Sequence, residues 1–383
     1  MFFVAKTNPS FFIRVYPRNP RRLPVRFTKV TLQNFRNLPL ATVALEGRRT
    51  FLCGPNGQGK TNFLEAVGYV TALRSFRGAE PRALLALGQT QAGMAFELEH
   101  EKFGASRLTV GLSSDGREVM WEQGKVTRLG DFIGKFPTVV FSSQDSQFTR
   151  GAPATRRRWL DLTLAAMDAS YLAGLQSYHR ALSERNALLK QDGRDAGSLT
   201  AFEHELATHA VTLVARRTEG VARLSDLFRQ AQARLGPEDE LAGVIYAPDS
   251  VTASREEFAA ELAASRGRDT LLKSTSIGPH RDDVELLLNG RPAKHFASEG
   301  QQRCLALALR LAQAAYYAAQ GGVAPVLLCD DVLGELDPVR RAKFWASLEG
   351  DPQVIATGTA RPEGASAAWQ VFDVQAGAIT PAL

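Results

Sequence analysis

The residue types best suited to chemistry form one short segment, residues 54–61, which has the sequence Gly-Pro-Asn-Gly-Gln-Gly-Lys-Thr. Its spacing of Gly, four residues and Gly-Lys-Thr is typical of a phosphate-binding loop. Glycines permit a tight turn that directs successive backbone N–H groups at phosphate oxygens, and the N-terminus of the following helix strengthens this attraction. Lys60 is predicted to reach the β- and γ-phosphates of a bound nucleotide, and the Thr61 hydroxyl to ligate Mg²⁺. The residues of this loop predicted to bind the nucleotide are Gly54, Pro55, Asn56, Gly57, Gln58, Gly59, Lys60 and Thr61.

A pair of acids follows the apolar run Val326-Leu327-Leu328-Cys329 near the C-terminus. Asp330 is predicted to hold Mg²⁺ directly or through water, and Asp331 is placed where a base could orient the attacking water. Taken alone, the segment could equally be a buried strand that ends at the surface. Together with the phosphate-binding loop, it favours nucleotide hydrolysis. Asp337 adds a third acid seven residues after Asp330.

A third segment, residues 298–303, precedes a helix rich in alanine and leucine. Ser298 followed three residues later by Gln301 is the pattern of a capping box, and this spacing alone favours a structural role. The alternative is a second anion site, formed by Ser298 and the N–H groups beside Gly300 at a helix N-terminus. One chain cannot easily bring this segment to its own phosphate loop, so such a site would act on the nucleotide of a neighbouring chain.

Three other groups of residues have weaker claims to a function. His280 lies in the turn Gly278-Pro279-His280-Arg281-Asp282-Asp283, where a structural histidine is favoured over a catalytic one. A run of three arginines could contact a nucleic-acid backbone or form a solvated basic face, and both interpretations stay open. These candidates for DNA binding are Arg156, Arg157 and Arg158. The cysteines are too far apart for a disulfide framework or a metal site, which favours the reducing cytoplasm. They are Cys53, Cys304 and Cys329.

The composition is that of a globular protein with two or three domains, since the chain has 383 residues and a hydrophobic fraction of 44%. No apolar run approaches the roughly 18 residues that a membrane-spanning helix needs, so a transmembrane protein is excluded. The net charge of +6 suggests a nucleic-acid partner. However, five of the basic residues lie in residues 1–24, and without this segment the net charge is only +1. We therefore expect DNA binding to depend on local patches, and we interpret residues 1–24 as a basic extension.

Hydrophobic periodicity predicts an α/β protein in which a helical insertion separates two groups of strands. Residues 155–235 contain no proline and have helical spacing, apart from a break near 191–198. They predict an antiparallel helical hairpin with two arms of about 35 residues, each about 50 Å long. A helix is expected over Thr61–Leu73, with Phe63, Leu64, Val67 and Val70 on one face. The expected strands are Val25–Leu32, Thr50–Cys53, Arg107–Leu112, Glu118–Trp121, Thr138–Phe141, Val284–Leu288, Val326–Cys329, Val354–Thr357 and Trp369–Val374.

Taken together, these segments resemble the RecF family of bacterial recombination-repair proteins, a branch of the ATP-binding-cassette and SMC-type heads. The resemblance runs from about Val25 to the C-terminus. The run Gly-Pro-His-Arg-Asp-Asp, followed by Gly-Gln-Gln-Arg, is its most specific part. The segments that carry it are residues 32–37, 54–66, 75–77, 278–283, 298–303 and 330–337.

The resemblance implies an ABC/SMC-type P-loop ATPase head with a helical second lobe. The head comprises residues 25–148 and 272–383, and the lobe residues 149–271. It also implies individual roles. Ser298, Gly300 and Gln301 resemble a signature motif that completes the ATP site of a partner chain. Asp331 resembles the catalytic carboxylate, acting with Lys60 and Gln144. Other implied residues are Gln144 as a Mg²⁺ and water sensor, Asp337 in the loop that crosses between chains (the D-loop), and Asn34, Arg36 and Asn62 as nucleotide contacts.

The function that the resemblance implies is ATP- and Mg²⁺-dependent DNA binding in recombinational gap repair. Such a protein would form an ATP-driven homodimer with weak DNA-stimulated ATPase activity. The dimer would clamp double-stranded DNA near single-strand/duplex junctions and help RecO and RecR load RecA, which links it to the SOS response. Two alternatives stay open: an SMC-type chromosome-organising head, which the short helical insertion disfavours, and a nucleotide-binding adaptor without hydrolysis, which the carboxylate pair disfavours. A small-molecule kinase is disfavoured because it leaves the segment at Ser298 without a role.

Overall fold

The computed structural model describes residues 25–191, 195–251, 254–348, 351–361 and 369–382. The predicted basic extension, residues 1–24, lies outside them, as does part of the predicted helix break near residues 191–198.

Strands dominate the first part of the chain, helices the middle, and both alternate towards the end. The first part contains β1 (Arg26–Phe35), β2 (Leu38–Ala44), β3 (Arg49–Cys53), α1 (Lys60–Ala72), β4 (Gln91–His100), β5 (Gly104–Ser113), β6 (Gly116–Trp121), β7 (Gly124–Lys125) and β8 (Thr138–Ser142). The middle contains α2 (Gln147–Arg150), α3 (Pro153–Ala165), α4 (Ala169–Leu189), α5 (Ala196–Leu235), β9 (Ala242–Ala247) and α6 (Arg255–Leu272). The last part contains β10 (Asp283–Leu288), β11 (Arg291–Pro292), α7 (Ala293–Phe296), α8 (Glu299–Gly321), β12 (Val326–Asp330), α9 (Val332–Glu335), α10 (Pro338–Ser347), β13 (Val354–Gly358), β14 (Gln370–Gln375) and β15 (Ala378–Pro381).

The central sheet has six strands in the order β15-β14-β3-β13-β12-β8. All neighbours in it are parallel except β15, which pairs antiparallel with β14. Parallel strands are covered on both faces and therefore have nearly continuous apolar sequences, as β8 and β12 do. This property made the strands at Thr50, Thr138, Val326 and Val354 predictable. Because their carboxyl ends share one edge, the residues that follow them meet there.

A second six-stranded sheet, with the order β2-β1-β4-β5-β6-β7, is antiparallel throughout. Helix α1 lies between the two sheets and buries residues around most of its circumference, including Phe63, Leu64, Val67 and Tyr69. The four residues predicted to share one face of this helix, Phe63, Leu64, Val67 and Val70, are all buried. Because sheets cover α1 from two sides, residues outside that face, such as Tyr69, are buried as well.

The helical lobe consists of α3, α4, α5 and α6, and the antiparallel pairing of α4 with α5 follows from the short connection between them. The prediction of two equal arms is wrong. Helix α5 has 40 residues, whereas the other arm is divided after α3. The carboxylate of Asp168 accepts the N–H groups of Ser170 at 2.9 Å and Tyr171 at 3.1 Å. This N-cap starts a new helix, and a capping acid is hard to distinguish from an internal one by periodicity alone.

A small sheet belongs to the same lobe, and the sequence predicted one of its three strands, Val284–Leu288. Its order is β11-β10-β9, and β9 pairs antiparallel with β10 across the predicted boundary between residues 271 and 272.

Two buried arginines form ion pairs that connect elements of the lobe. Arg217 bonds Asp161 and Asp282, and Arg185 bonds Glu203 and Asp269. Removing one partner from such a pair leaves an uncompensated buried charge, which costs about 3–5 kcal/mol.

Candidate nucleotide site

The phosphate loop connects the end of β3 to the start of α1. Gly57 and Gly59 have φ values of 79° and 117°, which residues with a side chain rarely adopt. A Cβ at Gly54 would lie 2.3 Å from the carbonyl oxygen of Val374 on β14, so only glycine fits between this loop and the strand. The loop therefore has the tight backbone path that its glycines predict.

Lys60 is the first residue of α1 and is only 3% exposed. Its Nζ donates to the carbonyl oxygen of Gly54 at 2.7 Å and to that of Pro55 at 3.0 Å. Within the described residues, no carboxylate forms an ion pair with this ammonium group. Charged phosphate oxygens are stronger acceptors for an ammonium group than neutral carbonyls. The lysine is thus held against the loop in a position from which it can exchange these carbonyls for phosphate.

Two threonine hydroxyl groups donate hydrogen bonds to Asp330 at the end of β12. Thr61 donates its hydroxyl proton to Oδ1 of Asp330 at 2.8 Å, and Thr357 on β13 donates to the same oxygen at 3.1 Å. The Thr357 hydroxyl also accepts the N–H of Asp331 at 3.0 Å. Burial raises the pKa of Asp330, although the hydrogen bonds from Thr61 and Thr357 act in the opposite direction. Sequence reasoning assigned no role to Thr357, although its place at the end of an apolar strand was a usable signal.

The donor set at this point fits Mg²⁺, which prefers oxygen ligands and usually binds through one or two carboxylates together with substrate phosphates. The Thr61 hydroxyl and the Asp330 carboxylate are already 2.8 Å apart. In the described part of the chain, no group of three or more His, Cys, Asp or Glu side chains could hold a metal by itself. A metal ion here would take its remaining oxygen ligands from water or from the nucleotide.

Asn37, in the turn between β1 and β2, is a contact that sequence reasoning missed. Its side-chain amide donates to the carbonyl oxygen of Gly57 at 3.1 Å. Its carbonyl oxygen accepts from Asn62 at 2.7 Å. Asn62 was predicted to contact the nucleotide, and the structure shows that it anchors this turn to α1. The predicted contact Asn34 lies in the same strand–turn region and donates to Gln89 at 3.4 Å.

Arg36 is held by Glu65, a fully buried carboxylate on α1. The guanidinium donates to the two carboxylate oxygens at 3.0 and 2.8 Å. Ser75 also donates to Glu65, and Arg77 donates to it at 3.4 Å and to Asn62 at 3.1 Å. Glu65 thus joins the turn before the phosphate loop to the segment that follows α1. The predicted nucleotide contact Arg36 is consequently a fixed part of the loop's surroundings.

Gln144 lies at the same edge of the central sheet as Asp330. Strand β8 pairs with β12 so that Ser142 is opposite Asp330, and Gln144 follows in an exposed 3₁₀ turn, Ser143–Ser146. The turn is fixed by its buried neighbour Asp145, which accepts the N–H of Ser142 at 3.0 Å and a bond from Arg310 at 2.7 Å. The role of Gln144 as a Mg²⁺ and water sensor stays a prediction.

The segment at Ser298 forms the capping box that its spacing predicts. The Ser298 hydroxyl accepts the N–H of Gln301 at 3.3 Å, and the Gln301 side chain accepts the N–H of Ser298 at 2.7 Å. The Gln301 amide also donates to Glu240 at 2.9 Å. Ser298 itself is exposed. Within the described residues, none of the hydrogen bonds of Ser298, Gly300 or Gln301 reaches the phosphate loop of the same chain.

Asp337 caps another helix, α10, because its carboxylate accepts the N–H of Arg340 at 2.9 Å. The Arg340 guanidinium lies beside Gly300, where a Cβ would be 3.3 Å from Nη1. The two predicted trans elements, at Ser298 and Asp337, are therefore neighbours on one surface. This proximity could not be predicted from their separation in the sequence.

His280 is a structural histidine, as the turn sequence favoured. Its Nε2 lies 3.0 Å from the carbonyl oxygen of Thr275, which can only accept, so Nε2 carries the proton. Nδ1 then accepts the hydroxyl proton of Tyr178 at 2.8 Å. Burial lowers the pKa of His280 to about 4, so the ring is neutral at physiological pH. Asp282 of the same turn bonds Arg217 at 2.6 Å, which gives this turn a role in the core of the lobe.

The three arginines at the start of α3 do not form the DNA-binding patch that their run in the sequence suggested. Arg156 is 7% exposed, and its guanidinium makes two bonds to Asp283, at 2.8 and 2.7 Å. Arg157 is partly buried and donates to the carbonyl oxygen of Asp282. Only Arg158 is exposed. Arg156 is unavailable to a nucleic acid because its charge is neutralised inside the lobe.

Comparisons with known proteins agree on one family. Residues 26–379 match the model of the RecF/RecN/SMC N terminal domain. The DNA replication and repair protein RecF of Geobacter metallireducens is 36% identical over 365 residues, which cover 92% of this chain and 99% of the relative. The protein of the same name in Synechococcus sp. (strain JA-2-3B'a(2-13)) is 35% identical over 368 residues, which cover 91% and 96%.

Solved structures extend this agreement to the fold. A structure of the recombination mediator protein RecF with ATP, in the RecFOR pathway, has a TM-score of 0.88 and 27% identity and covers 96% of this chain and 100% of that chain. The SMC head domain of Pyrococcus furiosus, at 16% identity and a TM-score of 0.54, covers 94% of this chain and 96% of that chain and shares the fold alone. The predicted α/β fold class of an ABC/SMC-type head is confirmed. Among the described residues, no helix is long and apolar enough to cross a membrane.

Proposed function

The chain belongs to the RecF family, and from this premise we propose that it is an ATP-dependent DNA-binding protein of recombinational gap repair. ATP and Mg²⁺ bind at the phosphate loop, with Lys60 on the phosphates and Thr61 and Asp330 on the metal ion, which would neutralise charge on the phosphates. Asp331 orients the attacking water. Two chains close around two nucleotides, and the closed dimer clamps double-stranded DNA. Because DNA is held better by the closed state, ATP sets the residence time of the protein on DNA.

One observation carries this proposal. The chain has a site assembled around Thr61 and Asp330, and an exposed helix N-terminus at Ser298 that, within the described residues, makes no bond to that site. The first N–H groups of a helix lack intrahelical partners and attract anions. A second copy of the chain would bring this helix terminus to the nucleotide of the first. Symmetry then requires two such composite sites in a dimer, each formed by residues of both chains.

The finer parts of the proposal follow from the family and from the related RecF protein with ATP, a recombination mediator in the RecFOR pathway. We infer that the partners are RecR and RecO, which help load RecA in gap repair and the SOS response, in the cytoplasm. The preferred DNA is duplex next to a single-strand gap, and DNA stimulates a weak ATPase activity. An SMC-type chromosome-organising head, which carries a long coiled-coil rod, is disfavoured. The longest helix among the described residues has only 40 residues, which is too short for such a rod.

Size-exclusion chromatography with light scattering tests the proposal directly. We expect a monomer with ADP, a dimer with ATP, and a dimer bound to DNA with ATP and duplex. Binding dominated by phosphate contacts must weaken as salt rises, so the last measurement is made at two salt concentrations. A monomer in all nucleotide states would exclude the ATP-driven dimer. A hydrolysis assay with and without duplex distinguishes the ATPase from a nucleotide-binding adaptor.

The DNA contact that the structure supports is a set of arginines around the segment that follows α1. We call Arg74, Arg77, Arg117 and Arg158 the arginine patch; all four are exposed. Arg158 lies against Gly78, where a Cβ would be 2.9 Å from its Nη1, and Arg117 donates to the carbonyl oxygen of Leu73 at 3.0 Å. Three elements thus bring positive charge to one short segment.

The charges of the arginine patch are mostly uncompensated. Within the described residues, Arg77 is the only member that forms an ion pair, with Glu65. Arg77 also bonds Asn62, next to Thr61 of the phosphate loop. Uncompensated arginines attract a phosphate backbone. The hydrogen bond from Arg77 to Asn62 therefore connects the arginine patch to the nucleotide site. Such a connection is consistent with DNA binding that depends on ATP.

Reversing two charges of the arginine patch is expected to weaken DNA binding. We expect the double variant Arg74→Glu/Arg158→Glu to lose duplex affinity at least about tenfold and to reduce the slope of log K against log salt by about 2. The matched control is Arg180→Glu/Arg255→Glu, which changes the net charge equally at exposed arginines on α4 and α6. Fluorescence anisotropy with a labelled duplex measures both. Equal losses in the two variants would mean that only net charge matters.

A further inference from the structure

The last two described strands of the chain form a hairpin whose turn contacts the phosphate loop. Strands β14 and β15 pair with Gln375 opposite Ala378, so Ala376 and Gly377 make the turn. Their φ values are 47° and 81°. Two central residues with positive φ are the requirement of a type I′ turn, whose twist matches that of the flanking strands.

The turn is bonded to Gln58 of the phosphate loop at two points. The N–H of Ala376 donates to the side-chain oxygen of Gln58 at 2.6 Å, and the N–H of Gly377 donates to its backbone carbonyl at 3.1 Å. The Gln58 side-chain nitrogen donates in turn to the carbonyl oxygen of Asn56 at 3.4 Å. The side chain of Gln58 is therefore used to hold the loop, and it does not point freely to solvent.

Gly377 also lies against the turn between β1 and β2, which contacts the loop through Asn37. It is buried, and a Cβ at this position would be 2.2 Å from the backbone carbonyl oxygen of Asn37. The side chain of Asn37 bonds Gly57 and Asn62. The phosphate loop is thus bonded both by Asn37 and by the turn Ala376–Gly377, which pack against each other.

We propose that the turn Ala376–Gly377 is a positioning element of the nucleotide site, which fixes Gln58 and Asn37 so that the phosphate loop is in its binding conformation before ATP arrives. The inference rests on the proposed binding of ATP at this loop. A loop that is already ordered loses less entropy on binding. A disturbed turn should therefore lower the affinity for ATP, while the groups that carry the chemistry, Lys60, Thr61 and Asp331, keep their places.

The chain provides a matched pair of variants, Gly377→Ala and Gly290→Ala. Asn289 and Gly290 form the turn between β10 and β11, with φ values of 51° and 73°. Alanine is strained to a similar degree in both turns. However, a Cβ at Gly290 has no atom within 4 Å, whereas a Cβ at Gly377 collides with Asn37. The difference between the two variants therefore isolates the contact with the nucleotide site from the strain of the turn.

Isothermal titration calorimetry with Mg²⁺ and ATP on the full chain tests the proposal. We expect Gly377→Ala to raise the Kd for ATP at least about tenfold relative to Gly290→Ala, since small misplacements of positioned groups have large effects. In steady-state assays KM should rise while kcat at saturating ATP changes less than about twofold, the pattern of lost uniform binding. Circular dichroism melts establish that both variants are folded.

A second variant addresses the case in which Gly377→Ala does not fold. Gln58→Met keeps the length of the side chain but removes the oxygen that accepts from Ala376, and we expect it to weaken ATP binding in the same direction. Equal Kd values for Gly377→Ala and Gly290→Ala, or wild-type affinity in a folded Gln58→Met, would overturn the proposal. If the wild-type chain and Gly290→Ala both fail to bind ATP, the proposed function fails instead, and this inference with it.

Discussion

Replacing Ser298 with arginine is expected to abolish ATP-driven dimerisation while the monomer still binds ATP. Ser298 is exposed and caps α8, so the substitution loses one capping bond, worth about 1 kcal/mol. A folded domain with a stability of about 5–15 kcal/mol tolerates that loss. The long arginine side chain would instead occupy the approach to the free N–H groups of the first helical turn. A nucleotide held by the other chain could no longer reach them.

The control for this experiment is Ser254→Arg. Ser254 caps α6 in the same manner, by accepting the N–H of Glu257 at 3.1 Å. The two variants therefore share the change of residue type, the change of charge and the loss of an N-cap. We expect only Ser298→Arg to remain a monomer with ATP in light scattering, and its turnover to fall at least about 100-fold, by analogy with the loss of a preorganised group that binds the reacting oxygens. A normal ATP-bound dimer of Ser298→Arg would reduce this segment to a capping box and remove the composite sites from the proposal.

The parts of the site that the sequence predicted are those encoded by local spacing. The phosphate loop, the helix after it and the acids after β12 each depend on residues within a few positions of one another. Their mutual position depends on the order of parallel strands, which apolar runs alone do not specify. Thr357 shows the limit, because it bonds Asp330 from a strand that lies 27 residues later in the chain. Asn37, Glu65 and the turn Ala376–Gly377 were missed for the same reason.

The error at Arg156 had a different origin. Consecutive residues of a helix project about 100° apart, so three arginines in a row cannot share one face. Arg156 lies in line with Trp159, Leu160 and Thr163 of α3, all of them buried. The spacing i, i+3, i+4, i+7 was visible in the sequence and indicated the buried side of the helix. The interpretation as a patch counted charges without assigning them to faces, and it missed the acid Asp283 that neutralises Arg156.

Replacing Asp331 with asparagine is expected to trap the ATP-bound dimer. Asp331 has a φ of 55°, a conformation that asparagine adopts readily, so the backbone should not change. Its N–H is held by Thr357, and the side-chain bonds that join Thr61, Asp330 and Thr357 do not involve its carboxylate. Losing a positioned base typically slows a reaction about 100–10,000-fold. ATP binding should persist because its ligands are untouched.

Asp330→Asn is the informative contrast, since the adjacent carboxylate has a different predicted task. It should weaken the binding of ATP in the presence of Mg²⁺ and thereby prevent dimerisation, because it alters the oxygen that Thr61 and Thr357 both contact. Single-turnover hydrolysis together with light scattering separates the two outcomes: a long-lived dimer for Asp331→Asn and a monomer for Asp330→Asn. An unchanged rate in Asp331→Asn would remove this residue from the mechanism. If both variants instead remain monomers, then residue 331 contributes to closing the dimer before any water is activated.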